Sequence, residues 1–261
     1  MRDNAAVEES PAPPVFPLRL RLAGAAVHLY TALGSVLGFL IVIAAFDGDV
    51  VTALWLGLAT LWIDGTDGML ARHFRVKETI PWFDGARMDD IVDYLTYVFA
   101  PIVLLWTTDR LPHGPAGWVL AALPLLASCY QFCRVDAKTS DHFFLGFPSY
   151  WNVVAFYVIV LDTSTVVTAV TLVVFAVLVF VPIRYLYPSR MERLQGVTLT
   201  FTLVWLIAYA VLVVQLPDPN PWVVAASLAY IAYYVGLSLW LTARGAGARR
   251  AARSVEGSQG D

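Results

Sequence analysis

The feature that most constrains the fold is a series of apolar segments along almost the whole chain. A helix that crosses the hydrocarbon core of a bilayer needs about 20 consecutive, mainly apolar residues. Segments that reach or approach this length lie at 23–46, 50–72, 86–107, 116–134, 147–161, 164–187, 196–216 and 221–243. We therefore predict an all-α integral membrane protein with about eight transmembrane helices.

The composition narrows the class of protein further. Charged residues make up 14% of the chain, whereas soluble domains carry about 25%, and the mean hydropathy is +0.67. The net charge of −3 and the lack of a basic stripe interleaved with aromatic residues argue against a nucleic-acid partner. Cys129 and Cys133 are too few for a disulfide framework or a zinc site, so we expect them to pack between helices.

The two ends of the chain differ from its apolar middle. Residues 1–18 are acidic and proline-rich, without the basic start and apolar stretch of a secretory signal, and are predicted to be a disordered tail. Residues 19–243 are predicted to form one transmembrane catalytic domain, and residues 244–261 a basic tail. If both termini are cytoplasmic, every one of the 17 basic residues except Arg110 lies on the cytoplasmic side, which favours that orientation.

Carboxylates gather where the second and third apolar segments meet. Asp64 and Asp67 are three residues apart, and Asp89 and Asp93 are four apart, so each pair shares one face of its helix. If the two helices are neighbours, the four carboxylates converge. Four uncompensated charges there would be very costly, so we expect divalent cations to neutralise them.

The ligand type predicts the chemistry of this site. Sites made only of oxygen ligands favour hard ions such as Mg²⁺ or Mn²⁺, and two such ions can hold a diphosphate. Gly65, Gly68 and Gly85 leave room for a phosphate or a nucleotide beside the carboxylates, and Arg72 can pair with a phosphate. The sequence thus predicts a cytoplasmic metal site for a diphosphate substrate.

Several neighbouring polar residues have simpler interpretations. Asp84 precedes Gly85 and is expected to cap the helix that follows. Asp90 points away from the face of Asp89 and is expected in solvent. In the first apolar segment, His28 and Thr31 are expected to pack or to form hydrogen bonds.

One motif joins the acidic residues and the glycines at fixed spacing. It reads Asp64-x-x-Asp67-Gly68-x-x-Ala71-Arg72, followed by Gly85-x-x-x-Asp89-x-x-x-Asp93. The motif resembles the signature of the CDP-alcohol phosphotransferases, membrane enzymes that transfer a phosphatidyl or related group from a CDP-linked donor to an alcohol and release CMP. The spacer between Arg72 and Gly85 is longer than is usual in that family. Its length, and the stretches AVHLYTALG, RVKETIPWFDG and DHFFLGFPSYWNVVAFY, resemble the bacterial phosphatidylcholine synthase branch.

The resemblance implies roles for the residues of the motif. Four aspartates would bind two Mn²⁺ or Mg²⁺ ions: Asp64, Asp67, Asp89 and Asp93. Asp89 and Asp93 would be the catalytic pair, with Asp93 as general base. The CDP site would be lined by Gly68, Ala71, Arg72 and Gly85. The resemblance also implies CDP-diacylglycerol and choline as substrates, contact with membrane lipids, a homodimer and a place in the bacterial plasma membrane.

Aromatic residues bear on the choice of alcohol. A quaternary ammonium cannot donate a strong hydrogen bond, but aromatic faces attract it by about 0.5–2 kcal/mol each. The aromatic residues near the motif or before the fifth segment are Tyr94, Tyr97, Phe143, Phe144, Phe147, Tyr150 and Trp151. From this set and its acidic neighbour we predict that choline contacts Tyr94, Tyr150, Trp151 and Asp141. Anchoring at the membrane interface is the competing role for such aromatics.

Three alternative functions stay open on the sequence. Basic loop residues could hold a phosphorylated acceptor, as in phosphatidylglycerophosphate or inositol-phosphate enzymes; they are Arg134, Lys138, Arg184, Arg190 and Arg193. The DDIVD stretch resembles an Asp-rich motif of membrane prenyltransferases, although only one such cluster is present. A cation transporter would be expected to place its acids near the bilayer midplane and to show repeated halves.

Overall fold

A computed structural model describes residues 16–137, 139, 143–186 and 195–257 of the chain, with side chains of the last range described over 196–244. The predicted choline-binding residue Asp141 and the loop residues Lys138, Arg190 and Arg193 lie outside the described residues, as do residues 1–15 of the predicted N-terminal tail.

Each predicted apolar segment contains a helix. The α-helices are α1 Leu18–Phe46, α2 Val50–His73, α3 Val76–Thr79, α4 Gly85–Asp93, α5 Ala100–Thr107, α6 Pro115–Cys133, α7 Trp151–Val160, α8 Thr165–Phe180, α9 Gln195–Val214 and α10 Pro221–Gly257. A π-helical segment, Tyr94–Phe99, joins α4 to α5. The third predicted segment is therefore continuous in the structure, and its centre has a wider helical turn.

Among the described helices, four are long and apolar enough to cross a membrane: α1, α6, the Gly196–Val214 part of α9 and the Pro221–Arg244 part of α10. Helices α7 and α8 are apolar but shorter. Large apolar side chains lie exposed on the four longer helices, including Leu29, Phe39, Trp118 and Leu203. Such surfaces suit a lipid environment, and the chain is accordingly a membrane protein whose described part is almost entirely α-helical.

Helix α1 begins at Leu18, five residues before its predicted start, and α10 continues to Gly257, past its predicted end at 243. Two other boundaries were also predicted wrongly. The predicted 164–187 helix ends at Phe180, since Pro182 has no N–H group and disfavours helical backbone at the residue before it. After it, strand β2, Arg184–Leu186, pairs antiparallel with strand β1, Phe143–Leu145. Directly after β1, Gly146 turns the chain at φ +84°, and a Cβ at this glycine would lie only 2.1 Å from the Val179 carbonyl oxygen. The helix of the fifth segment begins after this turn, at Trp151, and not at the predicted residue 147.

Helix α1 packs against its neighbours through small residues. Its buried side includes Gly24, Thr31, Gly34 and Gly38, which recur at the spacing of one helix face. A Cβ at Gly34 would lie 2.5 Å from Cγ1 of Val92 on α4. Small residues let helix backbones approach closely in lipid. Because α1 contacts both α2 and α4, this close approach sets the acidic ends of those two helices side by side.

The basic residues Arg110 and Arg134 lie at opposite ends of the helix bundle. Arg110 pairs with Asp162 at 2.5 Å and donates to the Thr163 carbonyl oxygen, in the loops after α5 and α7. Arg134 lies at the opposite end, beside Asp90 of α4. Arg110 is therefore separated from Arg134, as the sequence predicted. Which end faces the cytoplasm stays a prediction.

Candidate active site

The acidic residues of α2 and α4 converge, as the spacing predicted. Asp64, Asp89 and Asp93 each offer a carboxylate oxygen, and these oxygens lie within 4.8 Å of one another. Asp64 comes from the last turns of α2, while Asp89 and Asp93 come from consecutive turns of α4. Convergence of the acids is confirmed; their service as metal ligands stays a prediction.

Asp67 completes the acidic set from a more enclosed position. It is buried, its Oδ2 accepts a hydrogen bond of 2.7 Å from Thr31 Oγ1 of α1, and its carboxyl group contacts that of Asp89. The expectation that Thr31 forms a hydrogen bond is confirmed. All four aspartates line one pocket of about 10 Å³, which is roughly the space needed for a single water molecule. The pocket has the size of a bound ion, not of a substrate.

Tyr97 holds Asp64 from the π-helical segment. Its hydroxyl donates a 2.6 Å hydrogen bond to Asp64 Oδ2, and its side chain is almost fully buried. Tyr97 belongs to the aromatic set near the motif, and its bond to Asp64 was not predicted from the sequence. π-helical turns often occur at functional sites, but a sequence pattern does not show where such a turn falls. The signal available in advance was only the four-residue step from Asp93 to Tyr97.

Tyr97→Phe is expected to lower kcat about tenfold, because loss of a residue that orients a ligand group typically costs 10–100-fold. CMP release measured at saturating substrates checks this value. The matched control is Tyr209→Phe, which removes another buried hydroxyl, one bonded to the Leu54 carbonyl oxygen. That variant should lose stability without loss of kcat; equal kcat for Tyr97→Phe and the wild type would contradict the orienting role.

The residues predicted to line a CDP site surround the exit of α2 and the start of α4. Gly68 and Ala71 are partly buried and Arg72 is exposed, with the Arg72 guanidinium 3.4 Å from where a Cβ of Gly68 would lie. Gly85 opens α4 against His28, whose ring would be 2.5 Å from an added Cβ. The predicted cap is confirmed, since Asp84 accepts a hydrogen bond from the Arg87 backbone N–H. Nucleotide binding by these residues stays a prediction.

The residues predicted to bind choline lie in different surroundings. Trp151 is completely buried, and its Nε1 donates to Ser128 Oγ at 2.8 Å. The hydroxyl of Tyr94 donates to the Leu125 carbonyl oxygen of α6. Tyr150 is partly buried with its ring 6.0 Å from that of Tyr97. Of these three, Tyr150 is the one in ring contact with a residue bonded to the acids. Their binding roles stay predictions.

Asp90 is less exposed to solvent than the sequence predicts. Asp90 is partly buried and lines a cavity between α4 and the end of α6, with Gln131 and Arg134. The residue does point away from the pocket of Asp89, as helix geometry requires. That direction leads towards α6, because α6 packs beside the π-helical segment. The placement of α6 could not be read from the α4 sequence alone.

The relatives of this chain among proteins of known function share one name. The chain is 40% identical over 240 residues to a phosphatidylcholine synthase of Legionella pneumophila, covering 89% of this chain and 94% of that protein. It is 40% identical over 219 residues to a phosphatidylcholine synthase of Pseudomonas aeruginosa, covering 84% and 91%. A phosphatidylcholine synthase of Borreliella burgdorferi is 32% identical over 218 residues, covering 83% and 93%. No protein-family model matches the chain.

Proposed function

The chain belongs to the bacterial phosphatidylcholine synthases, and we propose on this basis that it transfers a phosphatidyl group from CDP-diacylglycerol to choline, with release of CMP. The observation that carries the proposal is the 40% sequence identity, over most of the chain, to relatives named phosphatidylcholine synthase. The convergence of Asp64, Asp89 and Asp93 supports it. The shared name of these relatives, phosphatidylcholine synthase, argues against the prenyltransferase and transporter alternatives.

We propose that the acidic pocket holds Mn²⁺ or Mg²⁺. Three carboxylates within 4.8 Å of one another form the oxygen-only donor set that suits hard divalent cations. Asp64, Asp89 and Asp93 would hold the first ion, and Asp67 would contribute to a second ion together with substrate phosphate oxygens. A bound ion supplies positive charge to a diphosphate, stabilising the attacking and leaving oxygens.

The reaction is a single substitution at phosphorus, in which the phosphoanhydride bond to CMP is replaced by a phosphate ester of choline. The choline hydroxyl oxygen attacks the phosphorus next to the diacylglycerol, forming a new P–O bond. The P–O bond to CMP breaks, and its electron pair leaves with CMP. Asp93 accepts the hydroxyl proton, which requires hydrogen-bond reach of the attacking oxygen. Tyr97 keeps Asp64 in place, and Thr31 does the same for Asp67. Arg72 would pair with a phosphate of the nucleotide.

We propose about eight membrane-crossing helices, with the acidic end and both termini in the cytoplasm. The support is the separation of Arg110 from Arg134 and the acids. In that arrangement α2, the run from α4 to α5, α7 and α8 cross the membrane together with the four longer helices. The same proposal includes a homodimer in the plasma membrane, which rests on the family alone.

A comparison of acceptors tests the proposed function. Purified protein is given CDP-diacylglycerol and Mn²⁺, then choline, serine, glycerol 3-phosphate or inositol 1-phosphate in separate reactions, and CMP release is followed. We expect the kcat/KM for choline to exceed that for each of the other alcohols by at least about 100-fold, because a site built to recognise one chemical group rejects substrates that lack it. A higher value for a phosphorylated alcohol would refute the choice of choline and favour the phosphatidylglycerophosphate or inositol-phosphate type.

A further inference from the structure

The surface of α2 has an open gap beside the acidic pocket. Gly65 is exposed, and a Cβ at this position would meet no atom of the described residues within 4 Å. The two other glycines expected to leave room for a substrate have closer neighbours. A Cβ at Gly68 would lie 3.4 Å from the Arg72 guanidinium, and one at Gly85 would lie 2.5 Å from the His28 ring. Of these three glycines, Gly65 is the one with open space.

Packing within the protein does not account for glycine at position 65. Gly65 lies in the interior of α2, where glycine is the least favourable residue apart from proline. It is not among the described glycines with a positive φ, which are Gly48, Gly114 and Gly146. Since no described neighbour and no special backbone angle requires a missing side chain here, we look for a ligand that does.

Helix geometry places this gap between the acids and the exposed side of α2. Successive residues of a helix are about 100° apart around its axis, so Gly68 lies about 40° from Asp64, and Gly65 about 60° beyond Gly68. Met69 follows about 40° and Trp62 about 60° beyond Gly65. These two side chains are 48% and 55% exposed. A path around α2 therefore leads from the acid, over two glycines, to an apolar surface open to lipid.

A cation ends this surface. Arg72 is exposed, and it lies about 20° from Gly65 around the helix and two turns nearer the end of α2. Along the axis the order is Trp62, Gly65, Met69 and Arg72, so that apolar side chains come first and a guanidinium last. A phospholipid lying against α2 has the same order, from acyl chains to phosphate. A free nucleotide has no part that matches Trp62 and Met69.

The donor of the proposed reaction must occupy two environments at once. Its reactive phosphorus must reach the acids, while its acyl chains must stay in lipid. The acidic pocket, with about 10 Å³, has no room for a glycerol backbone. On α4 all three residues between Asp89 and Asp93 carry side chains, and Ile91 among them is 57% exposed. The gap at Gly65 thus offers the chain of atoms between phosphorus and acyl groups a close approach to the helix backbone.

We propose that the surface of α2 formed by Trp62, Gly65, Met69 and Arg72 binds the lipid part of CDP-diacylglycerol, with the glycerol backbone crossing α2 at Gly65. The proposal rests on the proposed function and deepens it. The acyl chains lie against Trp62 and Met69, and Arg72 pairs with the diphosphate. Gly65 then serves the lipid part of the donor, and Gly68 and Gly85 stay with the predicted CDP site.

Gly65→Leu tests this surface by filling the gap with an apolar side chain that lipid tolerates. We expect the KM for CDP-diacylglycerol in mixed micelles to rise about tenfold or more, because the added side chain displaces the glycerol backbone. The KM for choline should change less than twofold. CMP has the nucleotide but no lipid part, so its inhibition constant should also change less than twofold. Formation of phosphatidylcholine from labelled choline measures all three constants.

The matched control is Gly236→Leu. Gly236 of α10 is also exposed, with no described atom within 4 Å of an added Cβ, and α10 contacts α9 and β2. This variant should leave all three constants unchanged. The thermal unfolding midpoint should fall in neither variant, because leucine is more favourable than glycine in a helix. Gly65→Ala should raise the donor KM at least about threefold, and it decides the question if Gly65→Leu does not fold.

The outcomes separate this proposal from the proposed function. An unchanged donor KM in Gly65→Leu refutes the lipid surface. An inhibition constant for CMP that rises together with the donor KM assigns Gly65 to the nucleotide and also refutes it, as does an equal rise of the donor KM in Gly236→Leu. In each case an active wild type leaves the function standing. A wild type that uses another alcohol refutes only the choice of choline, and the donor constants are then measured with that alcohol. Release of no CMP with any alcohol refutes both proposals.

Discussion

Asp89→Asn is expected to reduce CMP release about 1000-fold with little loss of folded protein. Asp89 is the acid at the centre of the set, because it belongs to the group with Asp64 and Asp93 and also contacts Asp67. An amide lacks the negative charge that a divalent cation requires, and loss of one charge-stabilising group in an active site costs about 100–1000-fold in kcat. The bulk of the side chain is unchanged. Removing one of four neighbouring negative charges should not destabilise the fold.

Two measurements make this result decisive. CMP release gives kcat, and the thermal unfolding midpoint of the same preparation shows whether the fold is intact. Asp84→Asn makes the same chemical change earlier on α4, where the side chain is exposed and caps the helix, and it should retain wild-type kcat. Wild-type activity in Asp89→Asn would remove Asp89 from the catalytic machinery.

Removal of divalent cations by EDTA is expected to abolish activity, and Mn²⁺ or Mg²⁺ to restore it. The physical reason is the cost of placing several carboxylates together without counter-charge. Zn²⁺ should restore less activity, because a set of oxygen ligands without histidine or cysteine suits harder ions. CMP release at increasing concentrations of each metal measures the effect.

A second readout does not depend on turnover. An ion that binds the folded state alone raises the unfolding temperature, by an amount that follows its affinity and concentration. Mn²⁺ should therefore stabilise the wild type, and it should stabilise Asp89→Asn much less. Full activity in EDTA, with no metal-dependent change in unfolding temperature, would show that the acids act without an ion. The carboxylates would then have to be neutralised by protons.

Much of the architecture followed from requirements that act locally. Backbone N–H and C=O groups in lipid must be paired within their own segment, so that a long apolar run can form little besides a helix. For this reason the helices α2, α6 and α9 lie close to the predicted limits, and α1 ends at its predicted residue. The same holds for the acids, since three- and four-residue steps place side chains on one helix face whatever the surroundings. The convergence of Asp64, Asp89 and Asp93 was predictable on that basis.

Other features depended on segments far away in the chain. Asp90 was expected in solvent because nothing in its own helix shows that α6 lies beside it. Tyr97 was considered for its aromatic face, but its hydroxyl reaches Asp64, 33 residues earlier in the chain. Trp151 was expected to face a ligand, and in the fold it is enclosed with its N–H bonded to Ser128. In each case the aromatic or acidic residue has several possible partners, and the packing of distant helices around it determines which partner it meets.

The order of residues was enough to establish a helical membrane protein and a pair of acidic helix faces, because apolar length and helical periodicity are properties of a single segment. Only the tertiary structure decided that a cavity lies between α4, α6 and β1, that Tyr97 bonds to Asp64, and that β1 pairs with β2 across residues about 40 positions apart. The close approach of α1 and α4, where Gly34 faces Val92, likewise joins segments far apart in the chain. No local pattern encodes which distant segment a side chain meets, so these contacts emerge only in three dimensions.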